Sequence, residues 1–249
     1  MTARDELGAS LRESWLGGLT IVSLAATLLF SLVISPADSN LGDSARLLYL
    51  HVPTAWIAFL AFFVTALASA LYLLPRTRTV GWDHLAGAAA EFGVLCTGLT
   101  LFVGSVWGRA EWGTWWQWEA RLTTTAVLFF LYLGYLALRH IDDRDGGGQG
   151  AAIRNAIAAL LGFVQVPIVH FSVTWWTSLH QEGSVFNDRL DVNINDGRMQ
   201  FTLWLAVAAF TLLFAWCCQR RIAQLELEAS SAADDLDSAI AQRIGATVV

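Results

Sequence analysis

Between residues 107 and 121 the chain carries five tryptophans in fifteen positions, at 107, 112, 115, 116 and 118, followed at once by Glu119 and Arg121. A membrane-interface belt needs far fewer aromatic rings per helix end. If the run were helical, Trp112, Trp115, Trp116 and Glu119 would fall at i, i+3, i+4 and i+7 and share one face. The product would be an indole platform edged by a carboxylate. A flat indole surface at the water boundary suits a large planar apolar ligand, because it buries the ligand's face while the polar edge stays wet. The competing reading is an interfacial helix that only anchors the bundle.

Two histidines add a second kind of chemistry. His51 opens the second of six apolar runs, and His170 lies near the end of the fifth. Each has a proline close by, Pro53 and Pro167, which frees backbone groups and bends a helix. A single histidine in a span reads as a polar residue hydrogen-bonded into the bundle. Two at one depth, beside indoles, point instead to axial ligation of a haem iron. Haem carries propionates, so Arg109, Arg121 and Arg46 are candidates to pair with them. Contact with lipid headgroups, or an Arg121 to Glu119 pair, would serve those arginines equally well. His180 reads as a third ligand or a surface residue, with the surface favoured. His84 and His140 fall at the opposite span ends, where ordinary loop roles suffice. Glu91, one or two turns into the third span, reads as a helix-packing or partner contact.

The elements that position these residues follow from composition. With 55% hydrophobic residues, 14% charged residues and a mean hydropathy of +0.51, a soluble chain of 249 residues would be covered in apolar surface. Residues 15–35, 47–74, 92–107, 122–138, 155–179 and 199–218 contain no Asp, Glu, Lys or Arg. Most are long enough to cross hydrocarbon. The expected fold is therefore an all-α integral membrane protein, a six-helix bundle with spans at about 15–35, 48–74, 85–107, 121–138, 154–175 and 200–218 and a tryptophan-rich interfacial loop. Five spans is the alternative count. A transmembrane β-barrel would show short alternating segments rather than unbroken blocks.

Charge sets the topology. Arg4, Arg12, Arg76, Arg78, Arg139, Arg144, Arg154, Arg220, Arg221 and Arg243 share one side of such a bundle, and Arg46, Arg109, Arg121, Arg189 and Arg198 the other. This bias places both termini in the cytoplasm of a multi-pass cell-membrane protein. The membrane domain spans residues 1–221, and residues 222–249 form a cytoplasmic tail, either an amphipathic helix or disordered. The first span is expected to be retained rather than cleaved. The net charge of −6 sits in loop and tail acids and gives no reason to expect nucleic acid. Cys96, Cys217 and Cys218 offer no metal or disulfide spacing.

Three separated segments resemble a known family. Residues 112–124, Trp-Gly-Thr-Trp-Trp-Gln-Trp-Glu-Ala-Arg-Leu-Thr-Thr, look like the tryptophan-rich signature of the haem-handling proteins of cytochrome c maturation, and among these the haem exporter protein C (CcmC) family. Residues 50–56, Leu-His-Val-Pro-Thr-Ala-Trp, and 167–181, Pro-Ile-Val-His-Phe-Ser-Val-Thr-Trp-Trp-Thr-Ser-Leu-His-Gln, resemble the segments that carry that family's two external histidines. The resemblance implies a b-type haem bound transiently at the outer face, with His51 and His170 as axial ligands. It implies that Trp112, Trp115, Trp116, Trp118 and Glu119 form the platform and the contact for a membrane-anchored periplasmic haem chaperone, with Arg121 at the same site. It implies an ATP-binding-cassette complex and a small membrane subunit as partners. One departure is Glu119, since the family pattern usually has Asp there.

The resulting expectation is a haem-handling protein that delivers its cargo and is not an enzyme. The alternatives are a haem or small-solute permease, which should place more charge deep in its spans than Glu91 alone, and an assembly subunit without haem of its own. A membrane cytochrome b would need an inner-leaflet histidine pair, which the spans lack.

Overall fold

In the computed structural model, residues 3–39, 41–144, 146–180 and 196–247 are described. Asp188 and Arg189 of the fifth loop lie outside them, as do the side chains of Arg4, Arg12 and Arg243. The chain forms α1 (Ala3–Leu29), a π-helical turn (Phe30–Ile34), a 3-10 turn (Asp43–Leu47), α2 (Leu48–Leu73), α3 (Val80–Trp112), α4 (Ala120–Arg144), α5 (Gln149–Phe163), α6 (Gln165–Trp175) and α7 (Gly197–Thr247). Six segments are long and apolar enough to span a membrane: Trp15–Ile34, Asp43–Leu73, Val80–Trp112, Ala120–Asp142, Gln149–Trp175 and Gly197–Ser231. The protein is an all-α multi-pass membrane protein, with no strand among the described residues. The stretch after Arg221, which composition alone left open, continues α7 as helix to Thr247.

Helix α2 is the centre of the bundle and packs on α3, α5 and α7, while α1 lies against α7. Lipid removes the hydrophobic drive between helices, so association rests on close packing and polar contacts. Helix α3 is built accordingly, with Ala86, Gly87, Ala88, Ala89, Ala90 and Gly93 all buried. A Cβ at Gly93 would stand 2.7 Å from Phe62 Cε1 and 3.1 Å from Ala61 Cβ. Phe62 in turn stacks on Tyr132 of α4, with ring centroids 3.8 Å apart, and the Tyr132 hydroxyl donates to the Ala159 carbonyl of α5 at 3.2 Å. One glycine thus lets a single aromatic stack tie four helices together.

Most threonine hydroxyls in the spans are satisfied locally. Thr54, Thr65, Thr97 and Thr100 each donate to the carbonyl four residues earlier, at 2.7–2.9 Å. Contacts also cross between helices: the Thr100 and Thr54 hydroxyl oxygens lie 3.0 Å apart, Trp56 Nε1 donates to Thr211 at 3.1 Å, and a chain runs from Tyr49 (3.0 Å) through Ser35 to Thr202 (2.9 Å).

The fifth span is broken between Phe163 and Gln165. Pro167 explains the position, since a proline ring excludes the carbonyl four residues before it, here that of Phe163. The Val164 amide turns instead to the Leu161 carbonyl at 3.3 Å, and Gln165 Nε2 donates to the Thr124 carbonyl of α4 at 3.0 Å. The restarted helix α6 therefore packs on α4 and carries His170 towards the N-terminal turn of that helix.

Gly93→Ala is expected to destabilise the bundle by about 1–3 kcal/mol through overpacking. Gly134→Ala, on an open face of α4, should leave the thermal midpoint in detergent unchanged or slightly raised. Equal midpoints for the two variants would refute the packing account.

Candidate functional site at the tryptophan-bearing end

Antiparallel packing gathers the N-terminal ends of α2, α4 and α7 and the C-terminal ends of α3 and α6 at one end of the bundle. His51 lies there, in the first turn of α2, over Gly104 of α3. A Cβ on Gly104 would come within 2.8 Å of His51 Cε1, so the absence of a side chain makes the seat. The indole of Trp107 meets the imidazole edge-on, with centroids 5.7 Å apart. His51 Nδ1 is buried and, with the Thr100 backbone nearby, makes no aligned hydrogen bond to any described residue.

The tryptophan run is not the helix that its spacing predicts. Helix α3 stops at Trp112 because Gly113 adopts a left-handed conformation (φ 74°), and residues 113–119 run irregularly to α4. Side-chain bonds hold this course: Ser105 Oγ donates to the Trp115 carbonyl at 2.7 Å, Thr114 Oγ1 to the Trp116 carbonyl at 3.1 Å, and Arg109 to the Gly113 carbonyl. The indoles consequently do not share a helix face. Trp112 and Trp116 are half-buried, whereas Trp115 and Trp118 stand 59% and 82% exposed, and Trp118 meets Trp116 edge-on at 5.6 Å.

Glu119 is the joint between this loop and the segment after α6. Its Oε1 accepts the Leu122 amide at 3.0 Å and so caps α4. Its Oε2 accepts the Leu179 amide at 3.1 Å and the Ser178 hydroxyl. His180 Nδ1 lies 2.9 Å from Oε1, without the alignment of a hydrogen bond, and its ring meets Trp112 edge-on at 5.0 Å. His180, for which sequence favoured a surface position, is therefore an inward part of the cluster, with a side chain only 22% exposed.

Burial opposes ionisation of Glu119, but the Ser178 hydroxyl, His180 and the Leu122 and Leu179 amides together outweigh it and hold the carboxyl below its ordinary 4.5. Burial pushes the His180 imidazole below its ordinary 6.5, and Arg121 adds to the shift against the pull of Glu119. At neutral pH the pair is thus a carboxylate beside a neutral ring.

With Glu119 so engaged, Arg121 is turned elsewhere. Its Nη2 donates to the His170 carbonyl at 3.2 Å, and its Nε has no partner among the described residues. The His170 ring stands edge-on to Phe171 at 4.9 Å. Of the other arginines considered, Arg46 is taken up by Asp43 at 2.9 Å and by the Ser31 carbonyl, and Arg109 by its own loop. His84 and His140 lie at the far end, where Arg139 grips Asp83 through two bonds of 2.8 and 2.9 Å.

Of the buried polar atoms left without partners among the described residues, His51 Nδ1, Trp107 Nε1, Trp116 Nε1, Arg121 Nε and, in alignment though not in distance, His180 Nδ1 lie at the tryptophan end, while Ser69 Oγ, His84 Nδ1, Asp142 Oδ2 and Asn155 Oδ1 lie towards the other. Such atoms carry a desolvation penalty unless something supplies the missing bonds. Imidazole nitrogens with indole and guanidinium donors are the set that a planar metal-bearing ring with anionic edges would use. The donor set therefore fits haem.

Helices that span the membrane six times and a histidine, tryptophan and arginine cluster at one end define a multi-pass membrane protein with a candidate ligand site there. The chain belongs to the heme exporter protein C family, whose pattern matches residues 6–236. It is 39% identical over 215 residues to the heme exporter protein C of Escherichia coli K12, covering 86% of this chain and 83% of that one. The proteins of the same name from Bradyrhizobium diazoefficiens and Haemophilus influenzae are each 38% identical, over 201 and 200 residues. These alignments cover 80% of this chain and 73% and 78% of the relatives. The family places the chain in haem handling for cytochrome c biogenesis.

A depressed carboxyl stabilises the fold above its unfolded pKa, and that contribution disappears as pH falls through the lowered value. Acid titration followed by tryptophan emission should accordingly show a transition below pH 4.5 in the wild type. In Glu119→Gln that transition should be missing and the loop looser at neutral pH; superimposable titrations would break the assignment of Glu119 as the joint.

Proposed function

We propose that the protein holds haem at the tryptophan-bearing end and hands it to a membrane-anchored periplasmic haem chaperone. His51 and His170 serve as axial ligands. Trp112, Trp115, Trp116 and Trp118 provide the aromatic surface, Glu119 fixes the loop that carries it, and Arg121 faces a propionate. The bound haem is b-type and transient, and it supplies the iron that the two imidazoles coordinate. In this reading the end described above is periplasmic, both termini are cytoplasmic, residues 1–221 are the membrane domain and residues 222–249 the cytoplasmic tail. An ATP-binding-cassette complex and a small membrane subunit are the partners, and no bond of a substrate is made or broken, so the protein is not an enzyme.

The observation that carries this reading is the seat of His51: a buried imidazole nitrogen without an aligned protein partner, held over Gly104 at the same end as His170 and Arg121. Around it, Trp107 and Trp116 hold buried indole N–H groups suited to carboxylates, and Trp115 and Trp118 leave a wet aromatic edge. Ligands fixed by the bundle combine with an exposed rim that a second protein can reach. Such a site favours release over permanent retention, and its contribution to transfer is orientation.

Purified protein should show a bis-histidine haem spectrum that is lost or altered in His51→Ala and His170→Ala and kept in His84→Ala and His140→Ala. Unchanged spectra in the first pair would remove the ligand assignment. Gly104→Ala places a methyl against the His51 ring and should lower haem affinity on the order of 10-fold or more, as displaced ligand supports do. Haem titration of the variant measures this, and wild-type affinity would disprove the seat.

A further inference from the structure

Residues 113–119 join α3 to α4 without regular structure, so no ladder of backbone hydrogen bonds fixes the indoles they carry. Their course rests on a few side chains. Arg109 holds the start of the loop at the Gly113 carbonyl, and Glu119 holds its end through the Leu122 and Leu179 amides. Thr114 bonds within the loop, to the Trp116 carbonyl. Among the hydrogen bonds of the described residues, the one that ties the middle of the loop to the bundle runs from Ser105 Oγ to the Trp115 carbonyl, at 2.7 Å.

The neighbours of Ser105 on α3 serve the other half of the site. The Cβ that Gly104 lacks would lie 2.8 Å from His51 Cε1, and Trp107 meets the same imidazole edge-on with centroids 5.7 Å apart. Gly108 is buried against Trp112, where a Cβ would stand 3.2 Å from Cε3 and 3.6 Å from the Thr114 carbonyl oxygen. Residues 104 to 108 rise only about 6 Å along the helix axis. One turn of α3 therefore receives the His51 imidazole at Gly104, the Trp115 backbone at Ser105 and the Trp112 indole at Gly108. A turn inside a helix of 33 residues is a rigid support. A loop tied only at its two ends would open at low free energy.

We infer that Ser105 is a positioning residue of the haem site: it fixes the exposed Trp115 to the turn of α3 that seats His51, and so sets the distance between the axial ligand and the indole rim that a second protein reaches. This inference rests on the reading of the site as a haem platform.

The full chain labelled with fluorotryptophan, in detergent and free of haem, tests the positioning. Loss of a fluorine resonance in Trp115→Phe identifies the line of Trp115. In Ser105→Ala that line should shift and narrow as the indole gains freedom, while the line of Trp56, bonded to Thr211 inside the bundle, stays in place. Ser105→Thr keeps the hydroxyl and should restore the wild-type line. Haem titration of the same proteins should show Ser105→Ala weakened about 3- to 10-fold, the range one hydrogen bond accounts for. Its bis-histidine band should not move, because both imidazoles keep their seats. An unchanged Trp115 line in Ser105→Ala, equal movement of the Trp56 line, a Ser105→Thr protein no better than Ser105→Ala, or a shifted line with wild-type haem affinity would each overturn the inference. A wild-type protein that binds no haem would instead remove the platform reading, and the haem-free fluorine lines would still decide whether Ser105 holds Trp115.

Discussion

Hydrocarbon offers no hydrogen bonds, and each polar group in the spans must find its partner within the protein. Threonines accordingly turn back to their own helix, Tyr132 reaches across to a carbonyl and Trp56 to a hydroxyl, and Arg139 closes on Asp83 where α3 and α4 meet the far border. The same constraint makes the exceptions informative. His51, Trp107, Trp116 and Arg121 keep buried polar atoms without partners, and they do so at one end, on α2, α3, α4 and the loop between the last two. The far end has unpartnered atoms of its own, on Ser69, His84, Asp142 and Asn155, but among the described residues only the tryptophan end sets imidazole, indole and guanidinium nitrogens together.

How much of this was legible in the sequence depends on the range of the interaction. Six uncharged runs specify six spans because length and apolarity are properties of each run by itself. Pro167 marks a bend, and the break falls four residues before it at Phe163 for a reason local to the backbone. The tryptophan loop misleads because the spacing of residues 112, 115, 116 and 119 is helical in period. Gly113 at φ 74° and the reach of Ser105 to the Trp115 carbonyl override that period. His180 and Gly104 escape sequence reasoning altogether. Their roles come from contacts with Glu119 and His51, some sixty and fifty residues away, and periodicity carries no information at that separation.

Glu119 does work at this position that an aspartate could not. Aspartate is the better helix N-cap, since its short side chain returns directly to the amides of the first turn. Glutamate has an extra methylene, and here both of its oxygens are used. One caps α4 through the Leu122 amide, and the other accepts from Ser178 and Leu179 across the end of the bundle. The longer side chain thus couples the start of α4 to the segment that follows α6. That coupling frees Arg121 to support the His170 carbonyl.

The two proposed ligands are consequently held in unequal ways. His51 belongs to a helix of 26 residues at the centre of the bundle and is wedged between Gly104 and Trp107. His170 belongs to a helix of 11 residues, separated from its span by the break before Gln165 and steadied through its backbone by Arg121 and, beyond its end, by the Glu119 clamp. Interior packing moves little, whereas short elements held by a few polar bonds open at low free energy. If haem is exchanged, the α6 side is the one that yields, and the bonds that set its resistance are those of Glu119 and Arg121. Under the proposed function, release to a second protein would be governed by a few hydrogen bonds at the rim rather than by the core that keeps the bundle folded.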